Sequence, residues 1–319
     1  MIDFIKIEVP NFKVYEEKLT RSSCFNFKQN VEINGGILSY PLRAKYKNID
    51  INITEKKVVI SGSLHKFYNV LYFEEEQNYS KFYYCQLKQV ISVMRELFSL
   101  DEIEYKINVL EIGFNIPVQI PVKDIINSKI LMYDYKEHSK LNNYNNRGYL
   151  KEFSTSDYLI KIYDKGSQFS LTEDLIRFEV KIKRSRILRK FKIFDIADLL
   201  KESVLRRLFD FYMDRIAKLN IVDYDIYNSL ASTVKANLDK WTNPNTWKTY
   251  KVQNYSYKQR INRKEKFEKL LKEKGLLKTK EQVINSLCLE YEKLLIVKNN
   301  RREGLSHIRH VENISLLCK

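Results

Sequence analysis

A chain of 319 residues, 44% hydrophobic and holding only 8 Gly and 5 Pro, describes a folded protein with one large domain or two ordinary ones, and excludes disorder as the default. Its 56 Lys and Arg against 40 Asp and Glu leave a formal charge of +16, which favours a polyanionic partner, because neutralising phosphates and releasing their counterions gives basic proteins sequence-independent affinity for nucleic acid. No stretch approaches the roughly 18 to 20 apolar residues that span a bilayer, and Met1 is followed by IDFIKIEV, a strand pattern and not a signal peptide, so the expected location is the cytoplasm with no membrane partner.

From Ile2 to about Pro41, short β-type runs alternate with turn signals at Asn34-Gly35-Gly36, consistent with hairpins at a sheet edge. The run Ile51 to Asn69 alternates into a strand on which Val59, Ser61, Ser63 and His65 share a face. That face could approach a phosphate or a metal, although a lone histidine at a strand end is more often a surface or hydrogen-bonded residue. Tyr79 to Phe98 changes to a helical period, with Phe82, Cys85, Val90, Val93, Met94 and Leu97 on one stripe.

Next comes YKINVLEIGFNIPVQIP, where Leu110, Ile112, Phe114 and Ile116 point one way and Glu111, Gly113 and Asn115 the other. A mid-strand carboxylate beside a glycine is costly in a core but useful on a concave face that binds a divalent cation; the alternative is a charge on a solvated sheet face. Val122 to Met132 reads as a short amphipathic helix, followed by the polar, Asn-rich YDYKEHSKLNNYNNRGY, in which His138 reads as a solvated residue.

Asp157 to Lys183 holds two strand patterns joined through Gly166 and residues 167 to 174. In the first, the period of two puts Tyr163 between Lys161 and Lys165, whose charges favour the phenolate and would help it act as a nucleophile. A tyrosine between solvated lysines on an exposed strand gives the same pattern. In the second, Ile176, Phe178, Val180 and Ile182 leave Arg177, Glu179, Lys181 and Lys183 on the opposite face.

Beyond a basic connector the chain turns helical, with the main boundary expected near Lys190. Leu200, Val204, Leu208 and Phe211 mark one helix, and Asp225 to Leu238, Ser256 to Lys274 and Lys280 to Asn299 mark others, with Trp241, Pro244 and Gly275 at the breaks. The segment from Ser256 carries Arg260, Arg263 and Lys264 among other cations; it either tracks a phosphate backbone or is a solvated face of helical ion pairs. Cys24, Cys85, Cys288 and Cys318 show no CxxC or Cys/His spacing, so they read as reduced thiols and not as a zinc site.

Brought together in one sheet, His65 with its serines, Glu111 with Asn115, Tyr163 with its lysines and Glu179 with Arg177 would supply a nucleophile, a hard-cation site and phosphate-binding cations. Those are the parts of a metal-assisted attack of tyrosine on a phosphodiester, leaving a phosphotyrosyl linkage and a free 3′-hydroxyl. The segments ISGSLHKFYN (60–69), VLEIGFNI (109–116) and YLIKIYDKGSQF with DLIRFEVKIKR (158–184) resemble the rolling-circle replication initiators of phages and plasmids, in particular the filamentous-phage gene II type, the replication protein II/X family. The resemblance implies an origin-specific nicking and religating endonuclease with Tyr163 as nucleophile and Glu111 as metal ligand. Related initiators often use a His-hydrophobic-His pair, which His65, His138, His307 and His310 do not form. The ligands would then be Glu111 with some of Asn115, His65 and Glu179, a set that suits Mg2+ or Mn2+ better than zinc. Tyr158 is a rival nucleophile if a bulge reverses its parity with Ile160 and Ile162.

The reading as a whole is an α+β protein: an antiparallel-sheet catalytic domain over residues 1–190 and a basic, mainly helical region over 191–319. Lys161 and Lys165 serve the phenolate and phosphate; Arg177, Lys181, Lys183, Arg184, Arg260, Arg263 and Lys264 hold DNA. The expected partners are a single-stranded or hairpin origin, a host helicase and a polymerase. The alternatives are a non-catalytic DNA-binding initiator or repressor, and an RNA-binding structural protein.

Overall fold

The computed structural model describes residues 1–10, 12–29, 39–143, 148–253 and 255–295. Its strands are β1 (Ile2–Val9), β2 (Leu42–Tyr46), β3 (Ile49–Ile53), β4 (Val58–Ser63), β5 (Lys106–Pro117), β6 (Ile130–Tyr133), β7 (Lys140–Asn143), β8 (Tyr149–Ser154), β9 (Tyr158–Asp164), β10 (Leu175–Ile182) and β11 (Leu219–Ile221). The helices are α1 (Lys13–Arg21), α2 (Leu64–Phe73), α3 (Tyr84–Leu97), α4 (Val122–Asp124), α5 (Lys165–Gln168), α6 (Ser185–Lys190), α7 (Glu202–Ala217), α8 (Ser232–Thr242), α9 (Pro244–Val252), α10 (Tyr257–Glu273) and α11 (Lys278–Leu295). This is the expected α+β architecture: one sheet in the order β2-β3-β4-β1-β5-β10-β9-β8-β7, a separate β11-β6 pair, and mainly helices after β10. No helix among the described residues is long and apolar enough to cross a membrane.

Contacts group the chain into two units. The first comprises Met1–Gly113, Lys181–Phe209 and the segment beginning at Tyr291; the second comprises Phe114–Val180 and Asp210–Glu290.

In the first unit β2, β3, β4, β1 and β5 pair antiparallel. Alternation buries Ile5, Ile7 and Val9 of β1 with Ile51 of β3, Ile60 of β4 and Leu110 and Ile112 of β5. The helices α2 and α3 pack on one another, and α2 packs on β1. The alternation of β1 is interrupted: Ile5 pairs with Leu110 and Ile2 with Ile112, so Asp3 and Phe4 together oppose the single residue Glu111. This bulge keeps Ile2 in phase with the core and turns Asp3 toward the polar face.

In the second unit β8 pairs antiparallel with β7 and β9. Ile160 and Ile162 of β9, with Phe178 and Val180 of β10, are fully buried, and from α7 the phenol of Tyr212 donates to the Phe178 carbonyl at 3.2 Å. A helical core joins Leu238 of α8, Trp247 and Tyr250 of α9 and Phe267 and Leu271 of α10 to Met132 of β6. Lys151 lies on the buried side of β8, opposite Ile162, and its ammonium donates to the Ile130 carbonyl at 2.6 Å. Burial pushes its pKa down to about 8.

Several sequence expectations need correction. The strand expected to carry His65 ends at Ser63, whose hydroxyl accepts from the Lys66 amide and caps α2, so His65 sits in a helical turn. Similarly, Asp164 ends β9 by accepting from the Ser167 amide, which places Lys165 in α5. The helices α1 and α9 occupy segments that carried no helix expectation. Val122 to Met132 is a short helix with a π-helical turn, Ile125–Lys129, running into β6. Cys85 and Cys288 are in the thiol form, whereas Cys24 is disulfide-bonded, against the expectation of reduced thiols. The turn expected at Asn34 to Gly36, residues 144–147 of the Asn-rich segment and the end of the last expected helix lie outside the described residues.

Candidate active site

Strand β10 supplies the centre of the candidate site. Its apolar residues face the core, which leaves Arg177 and Glu179 on the polar side, each only 2% exposed. A carboxylate buried so deeply is stable only when its lone pairs are met by fixed donors. Arg177 meets them first: its Nε donates to Glu179 Oε1 at 2.5 Å, and its Nη1 donates to Asn115 Oδ1 of β5 at 2.7 Å. From β9 the phenol of Tyr163 donates to the same Glu179 Oε1 at 2.7 Å, and Lys161 Nζ lies 3.4 Å from Oε2. The Lys165 ammonium lies 5.4 Å from the centroid of the Tyr163 ring, within cation–π range, although it comes from α5 and not from the strand. The period of two thus brings Lys161 and Tyr163 to one carboxylate, as their spacing predicts.

On β5 and β1 the polar face continues with Glu111 and Asp3, 6% and 4% exposed. Lys181 Nζ lies 3.6 Å from Glu111 Oε2 and 4.5 Å from the centroid of the Phe4 ring. The Asp3 carboxylate accepts from the Ser63 hydroxyl in a short hydrogen bond and from Asn78 Nδ2 at 3.0 Å. One carboxylate oxygen each from Asp3, Glu111 and Glu179 lie within 4.8 Å of one another. Three carboxylates at such spacing repel, and Lys181, Arg177 and Lys161 offset the repulsion here. An all-oxygen, acid-rich donor set suits a hard divalent cation such as Mg2+ or Mn2+ better than zinc.

Asp3 is absent from the sequence-derived ligand set because uninterrupted alternation assigns it to the apolar face with Ile5, Ile7 and Val9. The signal was present as a phase slip, since apolar Ile2 is out of step with Ile5, and a bulge is what reconciles the two. Neither His65 nor Asn115 is one of the three clustered ligand groups. The His65 ring stacks on Phe82 at 4.7 Å with its Nε2 3.1 Å from Ser80 Oγ, and Asn115 holds Arg177. Tyr158 lies on the other side of β9, its hydroxyl 2.8 Å from that of Tyr133 and its ring edge-on to Phe211, with the Arg215 guanidinium 5.2 Å away.

Of the remaining cations, Lys183 is half-buried and Arg184 exposed, both just past β10. Arg260, Arg263 and Lys264 lie on α10. Arg263 stacks on Tyr250 and Tyr255, at 4.9 and 4.2 Å, and Lys264 pairs with Asp134 at 3.0 Å.

No family model matches the sequence, and no curated protein matches it. Among solved structures the chain is similar to a rolling circle replication initiator protein from Geobacillus stearothermophilus, at 14% identity and a TM-score of 0.40, over 66% of this chain and 83% of that one.

Proposed function

We propose that the protein is a rolling-circle replication initiator of the phage and plasmid II/X type, which nicks and religates one DNA strand at an origin through a phosphotyrosine. The observation that carries this reading is the hydrogen bond from the Tyr163 phenol to Glu179, a carboxylate fixed by Arg177 beside a group of acidic side chains. Tyr163 Oη attacks the scissile phosphorus and gives its proton to Glu179; the new phosphorus–oxygen bond forms as the bond to the 3′-oxygen breaks, and the 3′-oxyanion takes a proton from solvent water to become a 3′-hydroxyl. Religation is the reverse. Lys161 and Lys165 offset charge on the phenolate and phosphate. Arg177, buried and doubly bonded, acts as a positioning residue, and Asn115 fixes its guanidinium. Lys181, Lys183 and Arg184 hold the strand. Asp3, Glu111 and Glu179 are the side chains that would hold Mg2+ or Mn2+, which when bound polarises the phosphoryl oxygens. His65 serves the fold of α2, where it is buried against Phe82. Host helicase and polymerase would follow such a nick.

The test mixes the protein, Mn2+ and a single-stranded oligonucleotide carrying the origin. The wild type and Tyr158→Phe form a denaturation-resistant protein–DNA adduct; Tyr163→Phe forms none. An adduct lost only in Tyr158→Phe would move the nucleophile. One observation favours a second reading: each of the three carboxylates already has a cation or hydrogen-bond donor beside it, so the network is also a self-sufficient structural core. A non-catalytic DNA-binding initiator or repressor would bind the origin in a salt-sensitive way and nick with no metal.

A further inference from the structure

The second unit contains a groove of about 530 Å3, formed by the β6–β7 connection, α9 and α10. Its origin lies in one helix face. On α10, positions 260, 264, 267 and 271 follow the helical period; Phe267 and Leu271 are buried in the helical core, while Arg260 and Lys264, on the preceding turns of the same stripe, line the groove. The lining also holds Tyr135, Trp247 and Tyr250, each buried for most of its surface, which leaves little ring face for a base to stack on. The same lining holds five cations, Lys136, Lys248, Lys251, Arg260 and Lys264, against two carboxylates, Asp134 and Glu137. Both carboxylates are engaged, Asp134 by Lys264 at 3.0 Å and Glu137 by Lys248 at 2.8 Å. Among the described residues no ion pair involves Lys136, Lys251 or Arg260, and Arg260 Nε is buried with no hydrogen-bond partner. His138, also in the lining, is held below its ordinary pKa by burial and by Lys151, so it adds no charge at neutral pH.

We infer that this groove is a second nucleic-acid site, separate from the Tyr163 centre, which grips the phosphodiester backbone without reading bases. Cations from three elements with unused donors fit a row of phosphates, and the small exposed area of the three rings leaves charge rather than base stacking as the main source of affinity. An acidic protein segment is the competing occupant. The inference stands on the groove alone and does not require the nicking reading.

The test uses the full chain in EDTA and a labelled oligonucleotide of mixed sequence, offered as single-stranded DNA, duplex DNA and RNA, with poly-glutamate as a separate ligand. Lys136→Gln/Lys251→Gln, two exposed positions, should weaken binding of the preferred nucleic acid by about tenfold at low salt. It should also flatten the slope of log affinity against log salt by about 1.4, from about 0.7 per lost phosphate contact on a single strand. Binding in EDTA is read with no nicking step, so a failed adduct assay leaves this result untouched. Unchanged affinity and slope in the double variant would overturn the site. Poly-glutamate bound as tightly as the oligonucleotide, and lost equally in the double variant, would replace nucleic acid by an acidic protein.

Discussion

Asp3 shows how one side chain changes what a site can hold. Glu111 alone is a strand carboxylate beside Lys181; with Asp3 delivered by the bulge and Glu179 from β10, it becomes one of three oxygen donors within 4.8 Å of one another. Binding a cation to the folded state alone raises stability by mass action, so Mn2+ should raise the thermal midpoint of the wild type. In Asp3→Asn that rise should shrink, because a charged ligand is exchanged for an amide that already has Ser63 and Asn78 as neighbours. Calorimetry with and without Mn2+ decides it, and equal rises in both proteins would remove Asp3 from the set.

Elements decide where the period of two applies and where it stops. The apolar alternation of β10 was legible because it is uninterrupted, and so was the pairing of Lys161 with Tyr163 on one face. Lys165 and His65 were misplaced for a common reason. Each follows a residue, Asp164 or Ser63, whose side chain accepts an amide hydrogen bond three positions on and starts a helical turn, so capping overrode strand period. The helical turn after Asp164 also depends on Gly166, where a Cβ would stand 2.5 Å from the Glu173 carbonyl oxygen and 3.2 Å from the Leu175 amide. Both are backbone atoms and cannot swing aside. Gly166→Ala should therefore cost about 1–3 kcal/mol, read as a fall in the unfolding midpoint, and should reduce adduct yield by shifting Lys165 from the Tyr163 ring. A midpoint equal to wild type would show that the turn yields.

Across the whole molecule, the discontinuous grouping of the chain was the least legible feature, since no local pattern reports that residues 181–209 group with residues 1–113. Composition raised the expectation of a polyanion partner, but gave no sign that five cations would line one groove with three buried rings. Global stability should also carry the mark of Lys151. Below pH 8 its ammonium is charged in both folded and unfolded chains, and the folded state bears the cost of burying it. Between about pH 8 and the unfolded value near 10.4 the unfolded chain binds the extra proton, so stability rises with pH, by on the order of 3 kcal/mol at most. Denaturant titrations between about pH 7.5 and 9.5 should show this rise, diminished in Lys151→Met. Equal slopes for the two proteins would mean that the buried ammonium is solvated in a way its 3% exposure does not suggest.

The stripe on α10 that is basic at Arg260 and Lys264 and apolar at Phe267 and Leu271 has a consequence for how this segment can vary in length. Each added or deleted residue between the two halves rotates one against the other by about 100°. The core would keep its anchors while the guanidinium and ammonium groups swung out of register with the loop and helix opposite. The spacing between Lys264 and Phe267 thus behaves as a phase setting: the composition of the intervening residues is free to drift, but their number is not.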